Sequence, residues 1–258
     1  MILVLGGTTE GRKVAVDLEK ENYRVMVSTV TGYGRNLMEA GFGGRVSEGA
    51  RDVSGLVGLM EETRVVLLVD ATHPFAVNAS RNAREACSRL GIPYLRLERE
   101  EGERELVEDH PRLVKVCSLQ EAVAKVQSTS GRIFLSVGSN SLREFVAAAG
   151  KERLIARVLP TVSSLQVCEE QGLSPGQLVA AKGPFTREFN REMFAFYGVS
   201  SLVTKDSGRS GGVMQKIGAA RDLGLKVILI KRPRGDKNTL IFNSPEEVIN
   251  YVKSMYKG

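Results

Sequence analysis

The chain has 258 residues, of which 42% are hydrophobic and 26% charged, and its formal net charge is +6. This length and apolar content suffice for one large or two smaller globular domains, and no apolar run approaches the roughly 20 residues of a membrane span. Basic and acidic residues are interspersed, without a lysine–arginine run or an aromatic ladder. This distribution argues against a nucleic-acid groove, although the modest positive charge itself suits an anionic small molecule as well as RNA.

The sequence has neither the pattern of a signal peptide nor the cysteine spacing of a zinc site. The opening apolar run, residues 1–5, is too short for a signal peptide and no basic residues precede it, which predicts a cytoplasmic protein. Cys87, Cys117 and Cys168 stand far apart, without the spacing of a zinc site. We therefore expect three small apolar core residues and no metal.

The first dozen residues predict a strand, a tight turn and a helix. Four apolar residues lead into Gly6-Gly-Thr-Thr-Glu-Gly11, and helical spacing of apolar residues follows up to Asn22. Such a turn presents free backbone N–H groups where a phosphate could bind. The glycine spacing of a dinucleotide fingerprint is only partly met, because position 8 is threonine. By itself the motif fits a nucleotide site or an ordinary α/β turn.

Alternating elements continue through the first half of the chain. The pattern predicts strands at 23–28, 45–47, 65–69 and 92–97, helices at 53–63 and 74–90, and turns at 31–34 and 41–44. Residues 99–112 include nine charged residues out of fourteen, interrupted by Gly102 and Pro111. This segment is predicted to connect a lobe formed by 1–98 to a second lobe formed by 113–258.

The same alternation fills the second half. Strands are predicted at 113–117, 132–137, 154–158, 178–181, 200–204 and 227–230, and helices at 119–127, 141–149, 162–170, 187–197, 213–223 and 245–256. The chain is thus predicted to be α/β, with two doubly wound lobes whose parallel sheets are flanked by helices. Ligands bind such sheets outside the carboxyl ends of the strands, where the strand order reverses.

The end of the second strand carries information about the cofactor. An NAD-binding fold usually places an acid there for the ribose 2′-hydroxyl. Here the strand ends in hydroxyl side chains, Ser28 and Thr31 among them, and Arg35 follows. This composition favours the 2′-phosphate of NADPH. The alternative is that Ser28 and Thr31 only satisfy the backbone of a turn.

The segment Asp70-Ala-Thr-His-Pro-Phe75 follows the apolar strand predicted at 65–69. His73 is a candidate proton donor or substrate contact, because imidazole titrates near neutral pH. The alternative is that Thr72 or His73 caps a helix that Pro74 begins.

Three polar segments follow strands of the second lobe: 136–140, 182–185 and 204–208. Lys205 lies in a segment that could form a backbone nest for a carboxylate, although a lysine at a strand end is usually solvated. Lys182 and Lys216 are weaker candidates of the same kind. Arg157 and the helix N-termini after Gly138, Pro184 and Gly208 could also bind carboxylates.

Five segments together resemble one known family. They are Gly6–Glu10, Gly41–Gly44, Asp70–Ala76, Gly183–Phe185 and Thr204–Gly208, in this order along the chain. The chain resembles the precorrin-6A reductases of cobalamin biosynthesis, including the cobalt-precorrin-6A form, over nearly its whole length. The resemblance implies two Rossmann-like lobes with a ligand cleft between them. It also implies NADPH, hydride transfer to a macrocycle double bond, a polycarboxylate tetrapyrrole substrate and neighbouring pathway enzymes as possible partners.

The resemblance also implies site residues. The cofactor would be bound by Gly6, Gly7, Thr8, Thr9, Glu10, Gly11, Arg12, Ser28, Thr31 and Thr72. The substrate would be bound by Gly138, Ser139, Gly183, Phe185, Lys205, Ser207, Gly208 and Lys216, and the catalytic candidates are His73, Asp70 and Lys205. Some members carry Ala-Gly-Arg-Thr after the second strand, which this chain lacks, so Arg35 or the hydroxyl groups are expected to hold the 2′-phosphate.

Two alternatives from other classes remain at this point. An S-adenosylmethionine-dependent tetrapyrrole methyltransferase would also use a glycine-rich first turn, but it would require an acid at the end of the second strand. A non-enzymatic NADPH sensor would bind the cofactor and turn over no pigment. The sequence leaves open whether the substrate already contains cobalt.

Overall fold

The computed structural model describes residues 1–30, 32–39, 41–98, 110–208, 211–233 and 239–256, except for the side chains of Tyr33, Leu37 and Glu39. The chain forms two compact units. The first comprises Met1–Glu100 and Arg234–Gly258, and the second comprises Glu101–Pro233. Each contains a six-stranded parallel sheet with helices between its strands. The predicted α/β class with two parallel sheets is confirmed.

The described elements alternate along the chain. The strands are β1 Ile2–Leu5, β2 Val25–Thr29, β3 Arg45–Glu48, β4 Leu67–Asp70, β5 Tyr94–Leu97, β6 Leu113–Val116, β7 Arg132–Ser136, β8 Leu154–Val158, β9 Leu178–Ala180, β10 Val199–Lys205, β11 Lys226–Ile230 and β12 Leu240–Phe242. The helices are α1 Thr9–Lys20, α2 Gly32–Glu39, α3 Val53–Glu62, α4 Val77–Leu90, α5 Leu119–Gln127, α6 Leu142–Ala149, α7 Val162–Glu170, α8 Arg187–Phe196, α9 Val213–Asp222 and α10 Pro245–Met255.

The sheet of the first unit has the order β12-β5-β4-β1-β2-β3. All residues of β1, β2 and β4 are buried. Apolar residues on both faces are expected, because the helices of a doubly wound sheet cover it from both sides. The strand order reverses between β1 and β4. The carboxyl ends of these two strands are therefore where a ligand is expected to bind.

The last strand of this sheet comes from the far end of the chain. β12 pairs in parallel with β5, and Val248 and Val252 of α10 are fully buried in the same core. The expectation that 113–258 forms the second lobe is therefore wrong for its final segment. β12 was not predicted, since it is a three-residue edge strand and its partner lies far away in the sequence. Of the predicted connection 99–112, residues 99–109 lie outside the described part of the chain.

The sheet of the second unit has the order β6-β11-β10-β7-β8-β9. Its order reverses between β7 and β10, which pair directly. Beneath them Phe134 of β7 meets Phe194 of α8 edge to face, with ring centroids 5.0 Å apart. The carboxyl ends of β7 and β10 are the expected ligand position of this unit.

Two local elements differ from the sequence expectation. Helix α2 occupies a region predicted as a turn from its glycines. Helix α4 begins at Val77 rather than at Pro74, because a turn closed by the Ala76 N–H and the His73 carbonyl (2.7 Å) comes first. The N-cap is Ala76, with no side-chain hydrogen bond. The alternative that Thr72 or His73 caps this helix is therefore wrong. None of the helices in the described ranges has the length and apolar character of a transmembrane segment.

The position of α10 yields a stability prediction. Val252→Ala should lower the free energy of unfolding by about 1–3 kcal/mol, because it removes buried methyl groups from the first unit's core. Hydrogen exchange should show faster opening of β1 and β4. Met255→Ala, at a position that is 62% exposed, is the control and should change little. Loss of protection confined to β7 and β10 would contradict this assignment.

Candidate functional site

The turn between β1 and α1 requires its glycines. A Cβ added at Gly6 would lie 2.8 Å from Cγ1 of Val27, and Gly7 has a φ of +105° that other residues rarely adopt. Thr8 is the N-cap of α1. Its hydroxyl accepts a hydrogen bond from the Gly11 N–H (3.0 Å) and donates one to the Ala71 carbonyl (2.8 Å). The turn is thereby fixed to the segment that follows β4.

This turn can receive a phosphate. The first turn of α1, which Thr8 caps, presents backbone N–H groups that the carbonyls of the helix itself do not bind. Nothing lies within 4 Å of a Cβ built at Gly7, so a ligand can approach the backbone there. Arg12, one turn further, places its Nη2 3.1 Å from a Cβ built at Gly41. The amides and the helix dipole suit the pyrophosphate of a dinucleotide.

Asp70, at the end of β4, is fully buried but ionised. Its Oδ1 accepts hydrogen bonds from Thr72 N–H (2.9 Å) and hydroxyl (2.7 Å) and lies 2.8 Å from Nη1 of Arg96, while Oδ2 accepts from the Tyr94 hydroxyl (2.6 Å). Burial acts to raise the pKa of Asp70, but the Arg96 charge and hydrogen bonds, including one involving Ser80, outweigh it and hold that pKa below its usual value. A carboxylate so fully engaged positions the loop and is unsuited to proton transfer.

His73 lies beyond this anchor. It is half-buried, its Nδ1 accepts a hydrogen bond from the Phe75 N–H (3.3 Å), and its ring is tilted against that of Phe75, with centroids 5.8 Å apart. With Nδ1 as acceptor, the proton of the neutral imidazole resides on Nε2. The Asp70–Thr72 contacts thus bring His73 to the same sheet edge as the glycine turn.

The ends of β2 and β3 form a separate polar cluster. Arg51 donates from Nη1 to the Ser28 hydroxyl (3.1 Å) and from Nη2 to the Ser47 hydroxyl (2.6 Å). Ser28 is buried and Arg35, on α2, is exposed. Thr31, a predicted cofactor residue, lies outside the described residues. Sequence reasoning missed Arg51, since it follows a short, weakly apolar strand.

In the second unit, Arg157 of β8 crosses the carboxyl edge of the sheet. Its guanidinium donates to the Ser136 hydroxyl (2.7 Å) and the Asn190 side-chain oxygen (3.0 Å), and it lies 5.2 Å from the ring centroid of Phe185. Burial lowers the pKa of Arg157 to about 10. A partly desolvated guanidinium over an aromatic ring suits a planar anionic ligand.

Lys216, in the first turn of α9, is the most unusual charge in this unit. It is only 4% exposed. Burial lowers the pKa of Lys216 to about 7; the positive charge of Arg157 acts in the same direction and Asp206 opposes it. A ligand carboxylate near this group would add negative charge to that of Asp206.

The segment after β10 is compact. Gly208 donates its N–H to Oδ1 of Asp206 (3.3 Å), and Arg232 donates from Nε to the Asp206 carbonyl (3.1 Å). A Cβ at Gly211 would overlap the Ser207 side chain, so glycine is required there. Burial lowers the pKa of Lys205, at the end of β10. This edge therefore concentrates positive charge around one aspartate.

The remaining predicted substrate residues lie at the same edge of the second sheet. Gly138, with φ +84°, follows β7 and leads into the 3-10 turn Ser139–Ser141. Pro184 contacts the start of α9, since a Cβ at Gly212 would lie 2.9 Å from its Cβ. Phe185 stacks on Phe189, with centroids 4.9 Å apart. The predicted substrate residues thus meet at one sheet edge, within one unit.

The predicted catalytic residues do not share one unit. Asp70 and His73 belong to the first unit and Lys205 to the second. Sequence reasoning missed Tyr94 and Arg96, although an arginine within the apolar strand β5 was a detectable signal. The described residues contain no group of three or more His, Cys, Asp or Glu side chains that could bind a metal. The three cysteines are free thiols; Cys87 and Cys168 are buried as expected, whereas Cys117 is exposed, so the expectation of a core position is wrong for it.

Comparisons with known proteins agree with one another. The family model "Precorrin-6x reductase CbiJ/CobK" matches residues 1–253. A cobalt-precorrin-6A reductase of Priestia megaterium is 35% identical over 254 residues, covering 97% of each chain. A cobalt-precorrin-6A reductase of Methanocaldococcus jannaschii is 34% identical, covering 98% of each chain.

Two further comparisons concern enzymes named without cobalt. A precorrin-6A reductase of Rhodobacter capsulatus is 34% identical over 238 residues, covering 90% of this chain and 88% of its own. The solved structure of CobK precorrin-6A reductase superposes with a TM-score of 0.77 at 28% identity, covering 98% of this chain and 96% of that one. Fold and sequence thus point to the same family.

The Asp70 anchor predicts a pH-dependent defect. Arg96→Met should lower the free energy of unfolding by about 3–5 kcal/mol near pH 7, because a buried carboxylate loses its cation. Since the pKa of Asp70 is held low in the fold, its stabilising contribution exists above about pH 4 and is lost as pH falls. Denaturant unfolding should show the gap to wild type narrowing below that pH. Arg89→Met, which breaks an exposed pair, is the control; a pH-independent gap would contradict the prediction.

Replacing Lys216 is expected to stabilise the protein, whereas replacing Arg96 is expected to destabilise it. Its pKa is lower in the fold than in the unfolded chain, so stability should rise between about pH 7 and pH 10, where the unfolded chain binds the extra proton. Lys216→Met should remove that rise and stabilise the protein at pH 7 by about 1–4 kcal/mol. Lys125→Met, at an exposed position of the same unit, should do neither. Destabilisation by Lys216→Met would overturn this account.

Proposed function

The chain belongs to the precorrin-6x reductase family, and from this premise we propose that it uses NADPH to reduce a carbon–carbon double bond in the macrocycle of precorrin-6A or its cobalt form, in cobalamin biosynthesis. The observation that carries the proposal is the match of the family model to residues 1–253, nearly the entire chain. The curated relatives of similar length support the same reaction class.

The first unit fits the proposed cofactor. Its strand order is that of a dinucleotide-binding sheet, and the glycine turn opens α1 at the point where the order reverses. The tight approach at Gly6 and the open space at Gly7 suit a pyrophosphate. Ser28 lies at the end of β2, where the adenosine ribose of such a cofactor binds. An S-adenosylmethionine site would call for an acid there, which Ser28 is not.

The second unit fits a polycarboxylate. Arg157, Lys205 and Lys216 place positive charge at the carboxyl edge of its sheet, and Phe185 adds an aromatic face beside Arg157. The attraction between a carboxylate and a cation is stronger at a partly desolvated site than in water. A large ring bearing several carboxylates is the substrate class that this arrangement suits.

When bound, NADPH supplies the hydride for one carbon of the double bond; the neighbouring carbon takes a proton. The chain's part is to hold the reacting atoms within about 3–3.5 Å and to exclude water. Asp70 acts as a positioning residue, since its oxygens are occupied by Thr72, Tyr94 and Arg96. His73, with its neutral-form proton on Nε2, is our candidate proton donor.

The direct test mixes purified protein with NADPH and precorrin-6A, with and without cobalt. We expect absorbance at 340 nm to fall together with a change in the pigment spectrum. A comparison of the two pigments would show which substrate is reduced faster. Tight NADPH binding without turnover of either pigment would contradict the proposal and favour a sensor.

Lys205→Ala tests the assignment of the second unit. Loss of a partly buried cation should weaken substrate binding by about 10-fold or more, with little change in NADPH affinity. Fluorescence titration of NADPH and the KM for the pigment measure the two effects separately. Lys125→Ala is the matched control. Equal losses for both ligands would count against this placement.

A further inference from the structure

Arg51 has an unusual set of partners for a partly buried arginine. Its guanidinium bonds only to neutral oxygens: the hydroxyls of Ser28 and Ser47 and the carbonyls of Gly49 and Glu48, the last at 3.5 Å. Among the described residues no carboxylate lies within ion-pair distance of it. By contrast, Arg96 pairs with Asp70. Arg51 is therefore held in a defined orientation while its positive charge is not neutralised by an ion pair.

Arg51 lies at the edge of the sheet where the adenosine ribose of a dinucleotide is expected. Ser28 is the next-to-last residue of β2, and its partner in the sheet is Ser47 of β3, the neighbouring strand. With a dinucleotide pyrophosphate on the β1–α1 turn, the adenosine ribose reaches the end of β2. Gly6 also pairs with the end of β2, since its N–H donates to the Ser28 carbonyl (2.9 Å). The Arg51 guanidinium thus lies next to the expected ribose position.

We propose that Arg51 binds the 2′-phosphate of NADPH and is the residue by which this chain selects NADPH over NADH. This inference rests on the proposed function and deepens it. A guanidinium binds phosphate through charge-assisted N–H donors, and the contacts with Ser28 and Ser47 fix its plane before the ligand arrives. The longer bonds to the Gly49 and Glu48 carbonyls (3.2 and 3.5 Å) are the ones that a phosphate would replace. Arg35, the candidate from the sequence, is exposed on α2.

Glu48 is a second charged residue near the expected ribose position. It ends β3, and its Oε1 lies 3.3 Å from a Cβ built at Gly32, so a carboxylate stands at the same edge. A carboxylate here would repel a 2′-phosphate unless a cation offset it, and could instead bind a ribose hydroxyl of NADH. The cofactor preference therefore depends on whether Arg51 or Glu48 dominates. The two serine contacts favour Arg51.

The experiment measures dissociation constants of NADPH, NADH and 2′,5′-ADP by calorimetry for wild type, Arg51→Gln, Arg51→Lys and Arg45→Gln. Arg51→Gln should weaken NADPH and 2′,5′-ADP by about 10- to 100-fold, the effect of losing one charge-assisted contact. NADH binding should change by less than about 2-fold, which also shows that the variant is folded. Arg51→Lys should lie between. Arg45→Gln removes the same charge at the other end of β3 and should change nothing.

The alternative outcomes are distinct. Equal weakening of NADPH and NADH by Arg51→Gln, or no weakening of either, overturns the role of Arg51. A wild type that binds NADH as tightly as NADPH overturns it as well and assigns the edge to Glu48. If wild type and variants show the expected selectivity but no precorrin is reduced, the proposed function fails and the inference about Arg51 stands.

Discussion

The buried carboxylate of Asp70 is the interaction on which the first unit depends. Burying a charge is costly unless it is paired and hydrogen-bonded, and here Arg96, Tyr94 and Thr72 together meet that condition. The loop after β4 is thereby fixed, and its Ala71 carbonyl receives the Thr8 hydroxyl from the glycine turn. The proposed cofactor turn and the His73 loop thus share one electrostatic anchor. We therefore expect a substitution of Arg96, Tyr94 or Thr72 to displace both the glycine turn and the His73 loop.

The two sheets have the same strand order, and the sixth strand of each comes from outside the run of five consecutive strands that forms the rest of the sheet. Counted from the switch point, β1 to β5 and β7 to β11 occupy equivalent positions, in the order 3-2-1-4-5. β6 follows the first five strands in the sequence but completes the second sheet, whereas β12 follows the second set and completes the first. A single cut of the chain therefore cannot release either unit whole. Domain boundaries drawn from sequence order fail for this reason, since strand exchange leaves no local signal.

Much of the fold was predictable because its signals are local. Helices α5 and α7 were placed to the residue, where Ser118 and Thr161 provide N-caps just before apolar spacing begins. Helix α2 was missed because its glycines resemble a turn, and β12 because its pairing is distant in sequence. Site residues, too, could be predicted where the signal is local and were missed where it depends on distant partners. Turn residues such as Thr8 were found, whereas the importance of Arg51 and Arg96 depends on partners 23 and 26 residues away.

Charges that are satisfied inside the protein differ in meaning from charges that are not. Asp70 is surrounded by its own partners, which accounts for a structural role without any ligand. Lys216 and Arg157 lie near each other, and burial lowers the pKa of both groups, a cost that the protein alone does not offset. A ligand that binds only the folded state can offset such a cost by mass action. The substrate carboxylates that we propose for the second sheet, and the 2′-phosphate that we propose for Arg51 in the first, are anions of that kind. The same physical criterion therefore separates Asp70, the anchor of the fold, from the groups that we propose to bind ligands.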